Sequence, residues 1–141
     1  MRREVSPGIE LDDDRERIDA AVVHRYVSEH AYWALGRPYE AMRHLIDDAS
    51  RVVGLYDGDR QIGFCRVASD DTTYAWLFDV YVLPEYRGRG LGVELVREAV
   101  ENGPHAGLRW ILHTKDMHRL YARFGFTTPG DRCMERPPSA S

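Results

Sequence analysis

Residues Glu85 to Gly92 read Glu-Tyr-Arg-Gly-Arg-Gly-Leu-Gly. They stand between an apolar run, Trp76 to Leu83, and a stretch from Leu91 to Glu101 whose apolar residues recur at helical spacing. Glycines at a strand-to-helix handover let the backbone approach a ligand, because no Cβ intervenes and positive φ is allowed. The first turn of the helix adds unpaired N–H groups and the positive end of its dipole. The product is an anion cradle suited to phosphate. Arg87 and Arg89 add charge that does not titrate near neutral pH, on forks matched to phosphate oxygens. Two common nucleotide motifs are excluded. The dinucleotide fingerprint is met at Gly88 and Gly90 but fails at Val93, and no Gly-Lys-Ser/Thr follows as a Walker A loop needs.

The 141 residues suit one domain, taken as 1–136 with a frayed tail at 137–141. A net charge of −4 argues against a general nucleic-acid or anionic-membrane surface. No apolar run reaches membrane-spanning length, and Met1-Arg2-Arg3-Glu4 leads into polar sequence, so a cytoplasmic location is expected. Cys65 and Cys133 lack metal or redox spacing and are expected to be buried, reduced thiols. The six histidines also lack ligand spacing, and no metal site is expected. Asp12-Asp13-Asp14 lacks the spaced ligands and glycine of a calcium loop and reads as helix-capping sequence.

Along the chain, residues 4–10 form an expected first strand. A helical stripe of Ile18, Ala21, Val22 and Tyr26 runs to about Ser28, and 30–37 is a loop. Pro38 suits the first turn of a second helix with Met42, Leu45, Ile46 and Ala49 inward. The period then shortens. Residues 52–56, a turn at 57–59 and residues 61–68 read as a hairpin, and 73–83 extends it to an antiparallel meander. The helix 91–101 turns Leu91, Leu95, Val96, Ala99 and Val100 inward and Glu94, Arg97, Glu98 and Glu101 outward. Residues 108–113 make a further strand, 116–124 a short helix ended by Gly125, and 133–136 a last strand. The order β-α-α-β-β-β-α-β-α-β is an α+β layout with a central, mixed, mostly antiparallel sheet flanked by helices.

The stretch Leu77 to Val96 (LFDVYVLPEYRGRGLGVELV) closely resembles the acyl-CoA signature of the GNAT superfamily of N-acetyltransferases, Arg/Gln-x-x-Gly-x-Gly/Ala, met here by Arg87 to Gly92. Leu120 to Phe126 (LYARFGF) resembles that superfamily's second signature, a helix bearing a tyrosine before Gly-Phe. The loop Tyr32-Trp33-Ala34-Leu35-Gly36-Arg37-Pro38 resembles small bacterial single-domain members. The resemblance implies a GNAT-like fold with a V-shaped opening between the fourth and fifth strands. Pantetheine would lie there against the backbone of Val80, Tyr81 and Val82. The diphosphate would rest on the amides of Gly88, Arg89, Gly90, Leu91, Gly92 and Val93, beside Arg87.

The implied activity is acetyl transfer from acetyl-CoA, as co-substrate, directly to a primary amine of a small molecule or peptide. The alternative is a catalytically silent acyl-CoA-binding sensor or partner-binding module. The family tyrosine falls at Tyr121, whose phenol (ordinary pKa about 10) can donate to a departing thiolate. Asp79 and His113 are base candidates, each with a structural alternative, and water-mediated deprotonation needs neither. The family's asparagine, seven residues before the tyrosine, is Thr114 here, so Thr114 is carried as a pantetheine contact or a helix cap. Tyr32, Trp33 and Arg37 are acceptor-pocket candidates able to recognise a carboxylate or an aromatic group. Against that, Trp33 could plug the core and Arg37 could pair with an acid. The fold is compatible with a homodimer through sheet edges; nucleic-acid and membrane partners are not expected.

Overall fold

The computed structural model describes residues 1–139. Its strands are β1 (Arg2–Ser6), β2 (Ile9–Asp12), β3 (Arg51–Asp57), β4 (Arg60–Ser69), β5 (Tyr74–Val82) and β6 (Arg109–Ile111). The helices are α1 (Ala20–His30), α2 (Tyr39–Asp48), α3 (Leu91–Val100) and α4 (His118–Ala122). The six strands lie in sequence order, antiparallel throughout except for the parallel pair β5–β6. Among the described residues no helix is long and apolar enough to cross a membrane.

Two apolar layers sandwich this sheet. On one face Leu11, Val53, Leu55, Ile62 and Val67 meet Leu95, Val96 and Ala99 of α3. On the other, Val52, Phe64 and Tyr81 meet Val23 and Val27 of α1 and Met42 and Ile46 of α2. Both faces of β3 and β4 are therefore covered, which is why these strands read as nearly continuous apolar runs rather than as alternation.

Several expectations are corrected. The stretch 4–10 is not one strand: Pro7-Gly8 turns the chain, and β1 and β2 form a hairpin. The first α-helix starts later than the three aspartates suggest. Asp14 caps only a 3-10 turn (Arg15–Arg17), and Asp19 caps α1 by accepting from the amides of Ala21 and Val22. No strand forms at 133–136; a 3-10 turn at Gly130–Arg132 precedes irregular chain, since Cys-Met-Glu-Arg offers no alternating face to bury. Cys65 is buried but Cys133 is exposed.

Glu98 is not outward. It is 2% exposed, and its carboxylate meets Arg51 at 2.9 Å and Arg3 at 3.0 Å. Helix α3 is buried over a wider arc than its apolar stripe, and the charge is accommodated because two guanidiniums come with it.

The feature that matters for function is in β5. It pairs with β6 only over Tyr74–Trp76 against Arg109–Ile111. Farther on, two residues of β5, Asp79 and Val80, oppose one residue of β4, and Asp79 takes φ of 56°. This bulge adds local bend and twist. Beyond it β5 and β6 are unpaired, leaving a wedge along Asp79–Val82. The wedge lies between the fifth and sixth strands, one later than expected because of the extra N-terminal hairpin.

Candidate active site

At the wedge a cavity of about 460 Å³ opens, lined by the α1–α2 loop, β4, β5, the segment after β6 and α4. Asp79 forms its floor, with a side chain only 1% exposed. The bulge aims this carboxylate at three donors. Trp33 Nε1 donates at 2.7 Å, Arg37 Nη1 at 2.9 Å and Arg66 Nε at 2.6 Å. Burial pushes its pKa up, but Arg66 and then Arg37 outweigh that, and the group sits below the ordinary carboxylate range. A carboxylate so engaged makes a poor proton acceptor near neutral pH, which weighs against the base role expected of it.

Tyr121, on α4, is 8% exposed, with its ring edge-on to Phe126 at 5.8 Å. Burial pushes its phenol up to about 12. His113 stands at the exposed rim, 3.2 Å from Glu135 and edge-on to Trp76 at 5.3 Å. Thr114 Oγ1 accepts from the Met117 amide at 3.0 Å, a turn that precedes α4; the helix's own N-cap is Met117, without a side-chain cap bond, so Thr114 is not the cap. Tyr32 reaches across the cleft, its hydroxyl accepting from the Lys115 amide at 2.9 Å. That bond ties the α1–α2 loop to the segment entering α4.

Trp33 does not plug the core. It is 43% exposed, and its N–H faces Asp79 while its indole lines the cavity. Arg37 does pair with an acid, Asp79, and both residues line the cavity. Sequence reasoning missed Arg66. The available signal was a lone cation inside the apolar run Ile62 to Ala68. Its side chain is 10% exposed and its guanidinium lies 4.3 Å over the Phe78 ring.

At the other end of the wedge α3 begins. Gly90 is its N-cap, at φ of 75° with no side-chain cap, and Gly88 has φ of 80°. A Cβ added at either would project into open space. The amides of 88–93 donate to no protein acceptor among the described residues, so the first turn presents free N–H groups outward. Arg87 Nη2 donates to the Tyr26 hydroxyl at 2.7 Å and its Nε to the Val82 carbonyl at 3.1 Å. The Val82 carbonyl, one of the backbone groups of Val80 to Val82 expected to lie against pantetheine, is thus already engaged. Arg89 lies 5.1 Å over the Tyr86 ring. Among the described residues neither arginine pairs with a carboxylate.

The site thus combines a bulged β5 parting from β6, a glycine-capped start of α3 and a tyrosine on the short helix α4. The chain belongs to the GNAT family of acetyltransferases, whose model matches residues 15–126. It superposes on the crystal structure of a protein described as belonging to the GNAT family, from Xanthomonas campestris pv. campestris, with a TM-score of 0.87 and 38% identity over 92% of this chain and 93% of that one. An uncharacterized N-acetyltransferase of Prochlorococcus marinus is 30% identical over 69% of this chain and 58% of its own length. A Brucella melitensis GNAT acetyltransferase in complex with acetyl-CoA shares the fold, with a TM-score of 0.66, 22% identity, and coverage of 85% of this chain and 83% of that one. The chain spans about half the length of the curated relatives it matches.

Proposed function

We propose that this protein is an acetyl-CoA-dependent N-acetyltransferase that passes the acetyl group directly to a primary amine. The observation that carries this reading is the β5 edge left unpaired beyond Trp76: a cavity lined by both Asp79 and Tyr121 opens at its bulge, and the free amides at the start of α3 follow its far end.

In this reading the diphosphate rests on the amides of Gly88 to Val93, where neither glycine contributes a Cβ to block it. Pantetheine follows the free edge at Val80 and Tyr81, bringing the thioester to the bulge. The amine nitrogen attacks the carbonyl carbon, and the tetrahedral species collapses by breaking the C–S bond. Tyr121, at about 12, lies well above an ordinary thiol near 8.5. It therefore serves the leaving sulfur as a fixed hydrogen-bond donor to developing charge rather than by surrendering its proton outright. Fixed donors in a water-poor site are the larger source of rate in acyl transfer.

Asp79 acts here as an anchor that orients Trp33, Arg37 and Arg66, and not as the base. Two arginines against one aspartate leave the floor cationic. Such a floor lowers the pKa of a nearby amine and favours its neutral, nucleophilic form, whose proton leaves through water.

The test is a thermal-shift titration followed by an acceptor screen that reads released CoA thiol. Acetyl-CoA is expected to raise the melting temperature, and a primary amine to release thiol. Absence of any shift at millimolar acetyl-CoA would overturn the reading.

A further inference from the structure

We propose that the cleft contains a carboxylate-binding subsite built from Arg66 and Arg37, and hence that the acceptor is an amine carrying its own carboxylate. This rests on the acetyltransferase reading and narrows its substrate class.

Arg66 is nine-tenths buried, and Arg37 is 17% exposed. Each spends one edge on the same oxygen, Asp79 Oδ2, while Trp33 takes Oδ1. The anchoring leaves both guanidiniums with spare donors. Arg66 uses only Nε toward Asp79, and its Nη1 and Nη2 have no hydrogen-bond partner among the described residues. Arg37 uses Nη1, toward Asp79 and the Met42 sulfur, and its Nη2 and Nε are likewise unengaged.

Two cations against one anion leave a buried excess of one positive charge, which is costly unless an anion arrives. The other charged groups of the lining do not cancel it. Asp116 sits at the exposed rim, and His113 there faces Glu135. A planar monoanion matches both the spare charge and the paired N–H geometry of a guanidinium edge. Exposed aromatic surface on Tyr32 and Trp33 lies beside it for the remainder of the acceptor. With its carboxylate on the arginines, an amino-carboxylate also brings its amine to the bulge where the thioester is held.

The test compares matched amines on protein saturated with CoA, by calorimetry. The pairs are phenylalanine with phenethylamine, β-alanine with propylamine, and O-phosphoethanolamine with ethanolamine. At least one carboxylated member is expected to bind tenfold or more tightly than its partner. Arg37→Met is expected to shrink that gap and Arg66→Met to remove it. Because Arg66→Met strips charge from Asp79, Arg66→Lys is run beside it. Lysine retains the charge but not the fork, so its melting temperature should hold while the gap falls. Equal affinities within both carboxylate pairs, no binding by any member, or a gap that survives both Arg66 variants would overturn the subsite. A gap confined to the phosphate pair would reassign it and overturn the carboxylate. Acetyl-CoA binding, measured without amine, reports separately on the acetyltransferase reading, which stands if only the amine pairs fail.

Discussion

Tyr121 and Asp79 show how one shared cleft drives two acids in opposite directions. Burial, with smaller contributions from Cys65 and Tyr32, raises the phenol to about 12, whereas two guanidiniums overcome burial at the carboxylate and lower it. Tyr121→Phe is expected to reduce kcat roughly a hundredfold, the usual loss for one fixed donor at a developing anion, with KM for acetyl-CoA little changed. Steady-state kinetics on a confirmed acceptor measure it. In the free protein, an absorbance titration near 295 nm, compared with Tyr121→Phe, should place this phenol about two units above an ordinary tyrosine near 10. Between those values the folded state keeps a proton that the unfolded state has lost, so Tyr121's contribution to stability declines as pH rises through them. Asp79 behaves oppositely. Its folded pKa lies below its unfolded value, so its ion pairs contribute fully above that value and are lost only as pH falls through the folded one. Asp79→Asn strands two buried cations and is expected to cost about 3–5 kcal/mol at neutral pH. Urea unfolding should show that gap holding from about pH 8 to 5 and shrinking below about pH 4.

The glycine-capped start of α3 and the bulge of β5 act as elements, because each works through backbone rather than side chains. The amides at 88–93 are available only because Gly88 and Gly90 hold positive φ and present no Cβ. Gly90→Trp places an indole in that open space and forces a strained φ. It is expected to abolish the acetyl-CoA-induced thermal shift while leaving the fold intact by circular dichroism. Retention of the shift would remove the diphosphate from this position. The loop between α1 and α2 is a second such element. It is held at one end by Asp79 through Trp33 and Arg37, and across the cleft by Tyr32 on the Lys115 amide.

At the scale of the whole molecule, a charged column ties α3 to the sheet. Arg51 of β3 donates to the Glu98 carboxylate and carbonyl on α3, and Arg3 of β1 closes the far side of that carboxylate. The column couples the N-terminal hairpin, the sheet centre and the helix that carries the cradle. Removing one buried partner is expensive because the others remain charged. Glu98→Ala is expected to lower the melting temperature by roughly ten degrees, taking about 3–5 kcal/mol for the lost partner and about 2–4 °C per kcal/mol. Differential scanning calorimetry checks it, and a loss within a degree would show the column to be neutral.

Local pattern alone carried much of this molecule. The change of apolar period marked the meander and α3 to within a residue or two, and the spacing of Arg87 to Gly92 and of Leu120 to Phe126 carried the family. Those signals are legible because backbone propensity, glycine's missing Cβ and helical periodicity act over a few neighbouring residues. Tertiary structure decided what depends on distant partners. Arg66 and Arg37 stand on different elements and meet only because the bulge at Asp79 turns one carboxylate toward both. Glu98 fits an exposed helical face by spacing, yet it is buried, because Arg51, 47 residues away, supplies its counter-charge. A charge is placed by its neighbours in space, and one-dimensional spacing does not record them.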